Sequence, residues 1–510
     1  MSESFDVVCV GSGITALAYA ASLLETRPGT RIVVLEKHRI PGGYATQFAR
    51  PKHHARFDVS LHKLTGMGPD GNLREMLKRL RVLDELEPVF PDTLFRACAG
   101  DTRITLTKDP HAVLEALQQR FPDCAAGLQT VFDEISTYGY DGYMQFRTLS
   151  GEYEPDLKRL RYAHTVLKTR STRDAIHERI AAPTLREILA LPCIYVGAFP
   201  EQTSYLYFLH VWYAALFGGS AYLRGGSSAL TAALVRRIER GGGRVVTRAE
   251  VQQITIDRTS MRATGVVTDI GHFHADEVIV NTSPLYALEH LVDRTLPGFD
   301  TPIAAHTATH AASSTTTLYA VLDAPPARYG LVDAETMLLA RDPETACEAR
   351  TCARRAPAEA ALSEQAYWHD SSVEVTNYHA LDPTAGHVIV VNALDTIHHW
   401  PERKTDAYRG KKARARDALL GRLLEHFPDM QGHVRYVELS TPRTCLRYTN
   451  NTHGSGYGAL VEPPSTKHAP SRRLPVDNLR FVSQWVSGGG YEATIGYGAM
   501  LGFQTAKDFT

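Results

Sequence analysis

The chain predicts an α/β fold: a nucleotide-binding domain built on a parallel sheet, carrying an inserted α+β domain. Three features point there. Near the N-terminus, FDVVCVGSGITALAYAASLL places an apolar run, two closely spaced glycines and a helical run in that order. Near the C-terminus, NLRFVSQWVSGGGYEATIGYGAMLGFQTA repeats the order strand, glycines, helix. Between them, helical stretches come first and a mixture of strands and helices follows. The 510 residues, 44% of them hydrophobic, are enough for a substantial core and about three domain-sized units.

In order along the chain, residues 5–10 read as a buried strand, Gly11-Ser12-Gly13 as a tight turn and residues 15–24 as a helix. Ala16 then stands at the third position of a G-x-G-x-x-A fingerprint. Gly11 permits the turn, Gly13 lets backbone approach a pyrophosphate, and Ala16 lets the helix pack on the strand. The helix start offers N–H groups and partial positive charge to phosphate. RIVVLEK supplies a second strand ending in Glu36, about 20 residues past Ala16, where an acid binds ribose hydroxyls. Together these elements make a Rossmann-like unit.

NLREMLKRLRVLDELEPV and DPHAVLEALQQRFPDCAAGLQTVFDEI show apolar residues at helical spacing, the latter with Asp109 as a cap. SYLYFLHVWYAALFGGSAYL is broken by His210, Gly218 and Gly219 and falls short of a spanning helix. A helix there would put Tyr205, Phe208 and Trp212 on one face and a strand would align Tyr205 with Tyr207, so a channel wall and plain core both fit. TTTLYAVLDA and HVIVVNALDT read as strands and ARARDALLGRLLEHF as a helix covering their sheet.

A formal net charge of -1 and a pI near 7.1 remove any global electrostatic reason to bind nucleic acid, which leaves a small molecule as partner. The seven cysteines (Cys9, Cys98, Cys124, Cys193, Cys347, Cys352 and Cys445) are scattered and include no CxxC pair, so a reducing cytoplasm is expected rather than a disulfide framework. The histidine pairs lack the spacing of metal ligands, and no metal is expected. The basic runs LKRLRYAHTVLKTRSTR and RKTDAYRGKKARAR read as solvated helix faces; the sharper alternative is peripheral contact with anionic lipid.

Glu36-Lys37 through Gly42-Gly43 resembles the flavoprotein extension in which a strand-end acid precedes a GG turn, which implies FAD rather than NAD. More narrowly, Gly42-Gly43-Tyr44-Ala45-Thr46 and FDVSLH (57–62) resemble stretches of the phytoene desaturase, carotenoid isomerase and retinol saturase family, with Ser60 where that family has glycine. The likeness continues through AYLRGGSSALTAALVRRIERGGGRVVTRAEVQQI, GVVTDIGHFHADEVIVNTSP and TPRTCLRYTNNTHGSGYGAL. It implies a discontinuous FAD domain (1–70, 220–305 and 470–510) and a substrate domain (71–219 and 306–469). It also implies that Gly11, Gly13, Ala16, Glu36, Lys37, Gly42, Gly43, Tyr44, Ala45, Thr46, backbone near Val251, Gln484, Gly489, Gly490 and Thr494 contact the cofactor. Gln484 stands where many flavoproteins carry an acid.

The activity the resemblance implies is hydride transfer at the flavin to or from an apolar, extended, alkene-bearing substrate that is desaturated, saturated or isomerised. No second dinucleotide fingerprint accompanies the first, so a dedicated nicotinamide domain is not expected. His62 and Arg224 lie in motifs that flank the flavin in the family and are the catalytic candidates; a core histidine and a pyrophosphate-binding or structural arginine are the plainer readings of each. Two alternatives stay open: an amine oxidase-like enzyme on a polar metabolite, in keeping with a mean hydropathy of -0.21, and a flavin-free escort protein of the same fold, against which the intact Gly11, Gly13, Ala16 and Glu36 argue.

Overall fold

Val7 to Val10 and Ile32 to Leu35 are apolar without alternation, as strands covered on both faces must be. In the computed structural model, which describes residues 2–100, 102–149, 151–341, 368, 371–463 and 473–508, they form the centre of a seven-stranded sheet. Ser2–Val10 pairs in parallel with Ile32–Glu36 on one side and Gly271–Val280 on the other. Val10 is level with both Leu35 and Val280, so Gly11, Glu36 and Asn281 emerge together at the carboxyl edge, where open α/β sheets bind ligands. Arg244–Thr247 and Leu479–Phe481 add further parallel strands, and the hairpin Val251–Asp257 with Arg262–Thr268 completes the sheet antiparallel to Gly271–Val280.

Helix Ile14–Thr26 covers one face. The C-terminal helix Tyr491–Asp508 packs along it at two glycines: a Cβ at Gly498 would strike the Thr15 carbonyl, and one at Gly502 would strike Ser22. The chain's last helix thus lies over its first.

The second sheet runs in the order Val434–Ser440, Ser314–Leu322, Val388–Asp395, Val373–Asn377, Glu335–Leu338, Thr93–Ala99 and Thr102–Thr107. Helix Asp406–His426 packs Ala415, Leu419 and Leu423 onto Leu318, Val375 and Val391. The alternate residues Tyr319, Val321 and Val390 face the other way, toward Phe57 and Leu61. Period-two alternation therefore gives this sheet one face against a helix and one face toward the strand Ala55–Asp58 and the loop that follows it.

Several expectations change. The first insertion contributes a hairpin as well as helices, because TRITLT buries Ile104 and Leu106 while exposing Arg103 and Thr105. Asp109 does cap helix Pro110–Arg120, accepting from the amides of His111 and Ala112. Helix Tyr205–Leu216 is core, not a channel wall: Tyr205, Phe208 and Trp212 are at most 1% exposed, and the Trp212 indole donates to the Leu189 carbonyl at 2.9 Å. Lys411 leaves the solvated face expected of its basic run and is buried between the rings of Trp368 and Trp400. Cys9, Cys98, Cys124, Cys193 and Cys445 are in no disulfide, while Cys347 and Cys352 lie outside the described residues. Among the described residues, no helix is long and apolar enough to cross a membrane, and no three His, Cys, Asp or Glu side chains gather as metal ligands would.

Candidate active site

The dinucleotide cradle is built from backbone. Gly11 has φ +90°, and a Cβ there would lie 2.8 Å from the Asn281 carbonyl oxygen. Gly13 begins helix Ile14–Thr26 with no side-chain cap and no acid in the first turn, which leaves the first amides to an external anion. The Gly42-Gly43 turn docks against this start: Gly42 donates to the Ser12 carbonyl at 3.0 Å, and a Cβ on Gly43 would sit 3.3 Å from the Gly13 Cα. Glu36, buried at the end of its strand, accepts from the Ser12 amide and hydroxyl (3.1 and 2.6 Å) and the His38 amide (2.9 Å). Two glycine turns, an uncapped helix start and a fixed carboxylate fit a dinucleotide.

Asp58 joins two distant motifs. Its buried carboxylate accepts from the amides of Leu61 and Ser227 at 2.9 and 2.8 Å and from the Ser227 hydroxyl at 2.9 Å, tying the loop that carries His62 to the start of helix Gly226–Arg240. Ser60 is not in the left-handed region, so the serine meets no backbone penalty; its hydroxyl donates to the Tyr44 carbonyl at 2.9 Å and lies 2.8 Å from the Tyr491 hydroxyl.

The closing loop differs in detail from the expected row of free amides. The Gly488 amide is committed to the Gln484 carbonyl at 3.1 Å, and the Thr494 hydroxyl turns back to the Gly490 carbonyl at 2.8 Å. A Cβ at Gly489 would meet the Cβ of Tyr457 at 2.7 Å, so this glycine makes room for a protein side chain. Gly490, at φ +97°, has nothing within 4 Å of such a Cβ. Glu492, in the first turn of the last helix, accepts from the Thr65 hydroxyl at 2.6 Å, and burial pushes its carboxyl up to about 7.

Beside the loop lies a buried acid–base cluster. Glu374 sits on the sheet face opposite helix Asp406–His426, between Val373 and Val375, which face that helix. Its carboxylate is fully buried, 3.2 Å from the His62 Nε2. Glu335, on the neighbouring strand, is paired with the Lys63 ammonium at 2.6 Å and accepts from the Tyr195 hydroxyl. Lys63 also donates to the Leu94 carbonyl at 2.8 Å and to Tyr195 at 3.0 Å, with its ammonium over the rings of Tyr195 and Phe95. Burial holds His62 down at about 4, and burial together with the charge of Glu335 holds Glu374 well above the carboxylate range. Burial also raises Tyr457, whose phenol senses the Glu374 carboxyl, so Tyr457 links this cluster to the Gly489 loop. A narrow cavity lined by His62, Lys63, Thr93, Lys108, Ser220 and Glu335 opens beside it.

The residues singled out from sequence therefore separate into groups. Gly11, Gly13, Ala16, Glu36, Gly42, Gly43, Tyr44, Ala45 and Thr46 gather at the carboxyl edge of the first sheet, with Tyr44 donating to the Ser455 carbonyl and Ala45 accepting from Thr231. Lys37, partly buried, follows Glu36, and Val251 lies two residues after Ala249, whose amide donates to the Glu36 carbonyl. Gln484, Gly489, Gly490 and Thr494 form the closing loop and first helical turn. His62 stands in the acid–base cluster. Arg224 does not: its side chain is 40% exposed and paired with Glu87 at 2.6 Å. Lys63, Tyr195, Glu335, Glu374 and Glu492 escaped the sequence reading. The available signal was a lone acid in each of two apolar strand segments, ETMLLA and SVEVTNY, a pattern that buries a charge.

Residues 17–507 match the family of flavin containing amine oxidoreductases. The chain is 23% identical over 520 residues to all-trans-retinol 13,14-reductase of Rattus norvegicus, covering 94% of this chain and 82% of the relative. It is 22% identical over 527 residues to chloroplastic prolycopene isomerase of Daucus carota, covering 99% and 81%. Among solved structures, cyclohexylamine oxidase from Brevibacterium oxydans superposes with a TM-score of 0.61 at 16% identity, covering 99% of both chains, a likeness of fold.

Proposed function

The chain belongs to the flavin containing amine oxidoreductase family, and from that membership and the site we infer an FAD-dependent oxidoreductase that saturates, desaturates or isomerises a carbon–carbon bond of an apolar, alkene-bearing substrate. FAD, when bound, supplies hydride transfer at its N5. The amides after Gly13 would hold the pyrophosphate, Glu36 the ribose, and the Gly42-Gly43 and Gly488 to Gly490 turns the backbone that lies along the cofactor. Tyr457, Tyr195 and the sheet face carrying Glu374 wall the reaction chamber from water, which aligns a C–H bond in a dry space. His62 moves the accompanying proton.

One observation favours an alkene over an amine. A cationic amine needs an acid and aromatic rings to receive it, and here that cage of Glu335, Tyr195 and Phe95 already holds the chain's own Lys63. The full-length similarity to a retinol reductase and a carotenoid isomerase supports the same choice. The test is direct: purified protein should be yellow, release FAD on denaturation, and convert all-trans-retinol or a carotenoid polyene, reduced with dithionite for saturation and in air for desaturation. Turnover of putrescine or cyclohexylamine with no polyene conversion would replace this reading with the amine oxidase one.

Such a substrate dissolves in membranes, and the surface around Leu157, Tyr162 and Val166, apolar and exposed beside Lys158 and Arg161, is the face we assign to peripheral contact with anionic lipid from the cytoplasmic side. Co-sedimentation with anionic but not neutral vesicles tests it; no preference between them rejects it.

A further inference from the structure

We propose that Glu374 is the proton store of the reaction: a carboxylic acid kept protonated behind His62, from which His62 is recharged as it delivers a proton to the substrate carbon. The proposal rests on the function inferred above and adds to it a positioning residue.

The geometry leaves little choice. Five groups able to ionise, His62, Lys63, Tyr195, Glu335 and Glu374, are packed together in the interior. Lys63 faces Glu335 at 2.6 Å and Tyr195 donates to the same carboxylate, so Glu335 carries the negative charge that matches the ammonium. The Lys63 ammonium also acts on Glu374, but it is bound directly to Glu335, and burial outweighs its pull on the Glu374 carboxyl. Glu374 lies on the adjacent strand, its side chain 0% exposed, next to an ionised Glu335, and two neighbouring carboxylates do not both ionise away from water. Its near partners are His62 Nε2 at 3.2 Å, the Glu335 carboxylate, toward which a protonated Glu374 donates, and the Asn392 side chain, with the Tyr457 and Tyr378 phenols close by. None of these supplies a fixed positive charge. Glu374 and His62 thus hold a single proton between them, and burial of both groups places it on the carboxyl, leaving the imidazole neutral.

The exposure is graded as a relay requires. The His62 side chain is 15% exposed and lines the cavity, whereas Glu374 is sealed behind it. In the saturating direction the substrate's π bond would break, one carbon would take the hydride that bound reduced FAD supplies, and its neighbour would take the proton on His62 Nδ1. In the same movement His62 Nε2 takes the proton of Glu374, which ends as a carboxylate; the two electrons would come from FAD bound in its reduced form. A water proton arriving through the cavity beside Lys63 and Lys108 is taken up at His62 Nδ1 while Nε2 returns its proton to Glu374, which restores both the acid and the starting tautomer and leaves hydroxide to the solvent. Desaturation runs the same steps backwards. In either direction a neutral imidazole backed by an acid does what an imidazolium would, without a buried cation.

Infrared difference spectroscopy of the purified holoenzyme tests this without any substrate. Wild type minus Glu374→Gln should show one lost carbonyl band of a protonated carboxylic acid at neutral pH, and Glu374→Asp should shift that band rather than abolish it. The second variant keeps an acid and guards against a first that does not fold. Loss of ionised carboxylate bands instead of the acid band would overturn the proposal. With dithionite-reduced holoenzyme and all-trans-retinol, wild type should show an alkaline fall in rate as the acid is lost, and Glu374→Gln should lower the saturation rate about 100-fold and remove that fall. An unchanged rate and pH profile would also overturn it. A wild type that ignores retinol yet shows the acid band would count against the polyene reading and leave the proton store standing.

Discussion

Gly13 carries a strict local demand. Its Cβ would collide with the Asn281 side chain, and it faces Gly43 across the cradle. Gly13→Leu is therefore expected to yield folded but colourless protein, checked by absorbance and by FAD release on denaturation; full flavin content would show that the pyrophosphate does not pass there. Residues of this kind are legible in a sequence because their constraint is local: a turn, a helix start and a strand end within thirty-odd positions have fixed relations. Glu374 is of the other kind. Nothing in SVEVTNY says that its acid meets His62 more than three hundred positions earlier, and Arg224 shows the converse, a residue in the right motif whose side chain turns to the surface and Glu87.

At the scale of elements, the strand, glycine loop and closing helix were readable, but the task of each glycine was not. Gly488 ends a short helix, Gly489 accommodates Tyr457, and only Gly490 borders open space. Gly489→Val should displace Tyr457 and weaken support for the anionic reduced ring. A loss of about 1.4 kcal/mol would lower the potential by about 30 mV, measurable by spectroelectrochemistry; an unchanged potential with full occupancy would confine the loop to a turn-forming role. Helix Tyr205–Leu216 makes the complementary case. Its aromatic face suited a channel as well as a core, and the core won because Trp212 and Tyr205 find buried hydrogen-bond partners in Leu189 and Glu134. Trp212→Ala should cost roughly 3–5 kcal/mol in denaturant unfolding and leave polyene affinity unchanged in the molecules that remain folded.

The whole molecule shows in its pH response. Glu492 is ordinary near 4.5 when unfolded and is pushed up to about 7 by burial in the fold. The native state thus binds the extra proton, so the stabilisation is complete below about pH 4.5 and is lost as pH rises through about 7, a swing of about 3 kcal/mol. Denaturant melts near pH 5 and pH 8 should show wild type losing more stability across this range than Glu492→Gln; parallel losses would place the titration elsewhere. By itself the sequence determined the βαβ cradle, the paired glycine turns, the closing helix and the family, because each depends on neighbours in the chain or on motifs kept in order. Only the tertiary structure decided which acids lie within reach of His62, that Lys63 fills the cage an amine would need, and which residue answers each glycine. Those relations join strands and loops hundreds of residues apart, and a buried charge takes its state from whatever groups the fold sets against it.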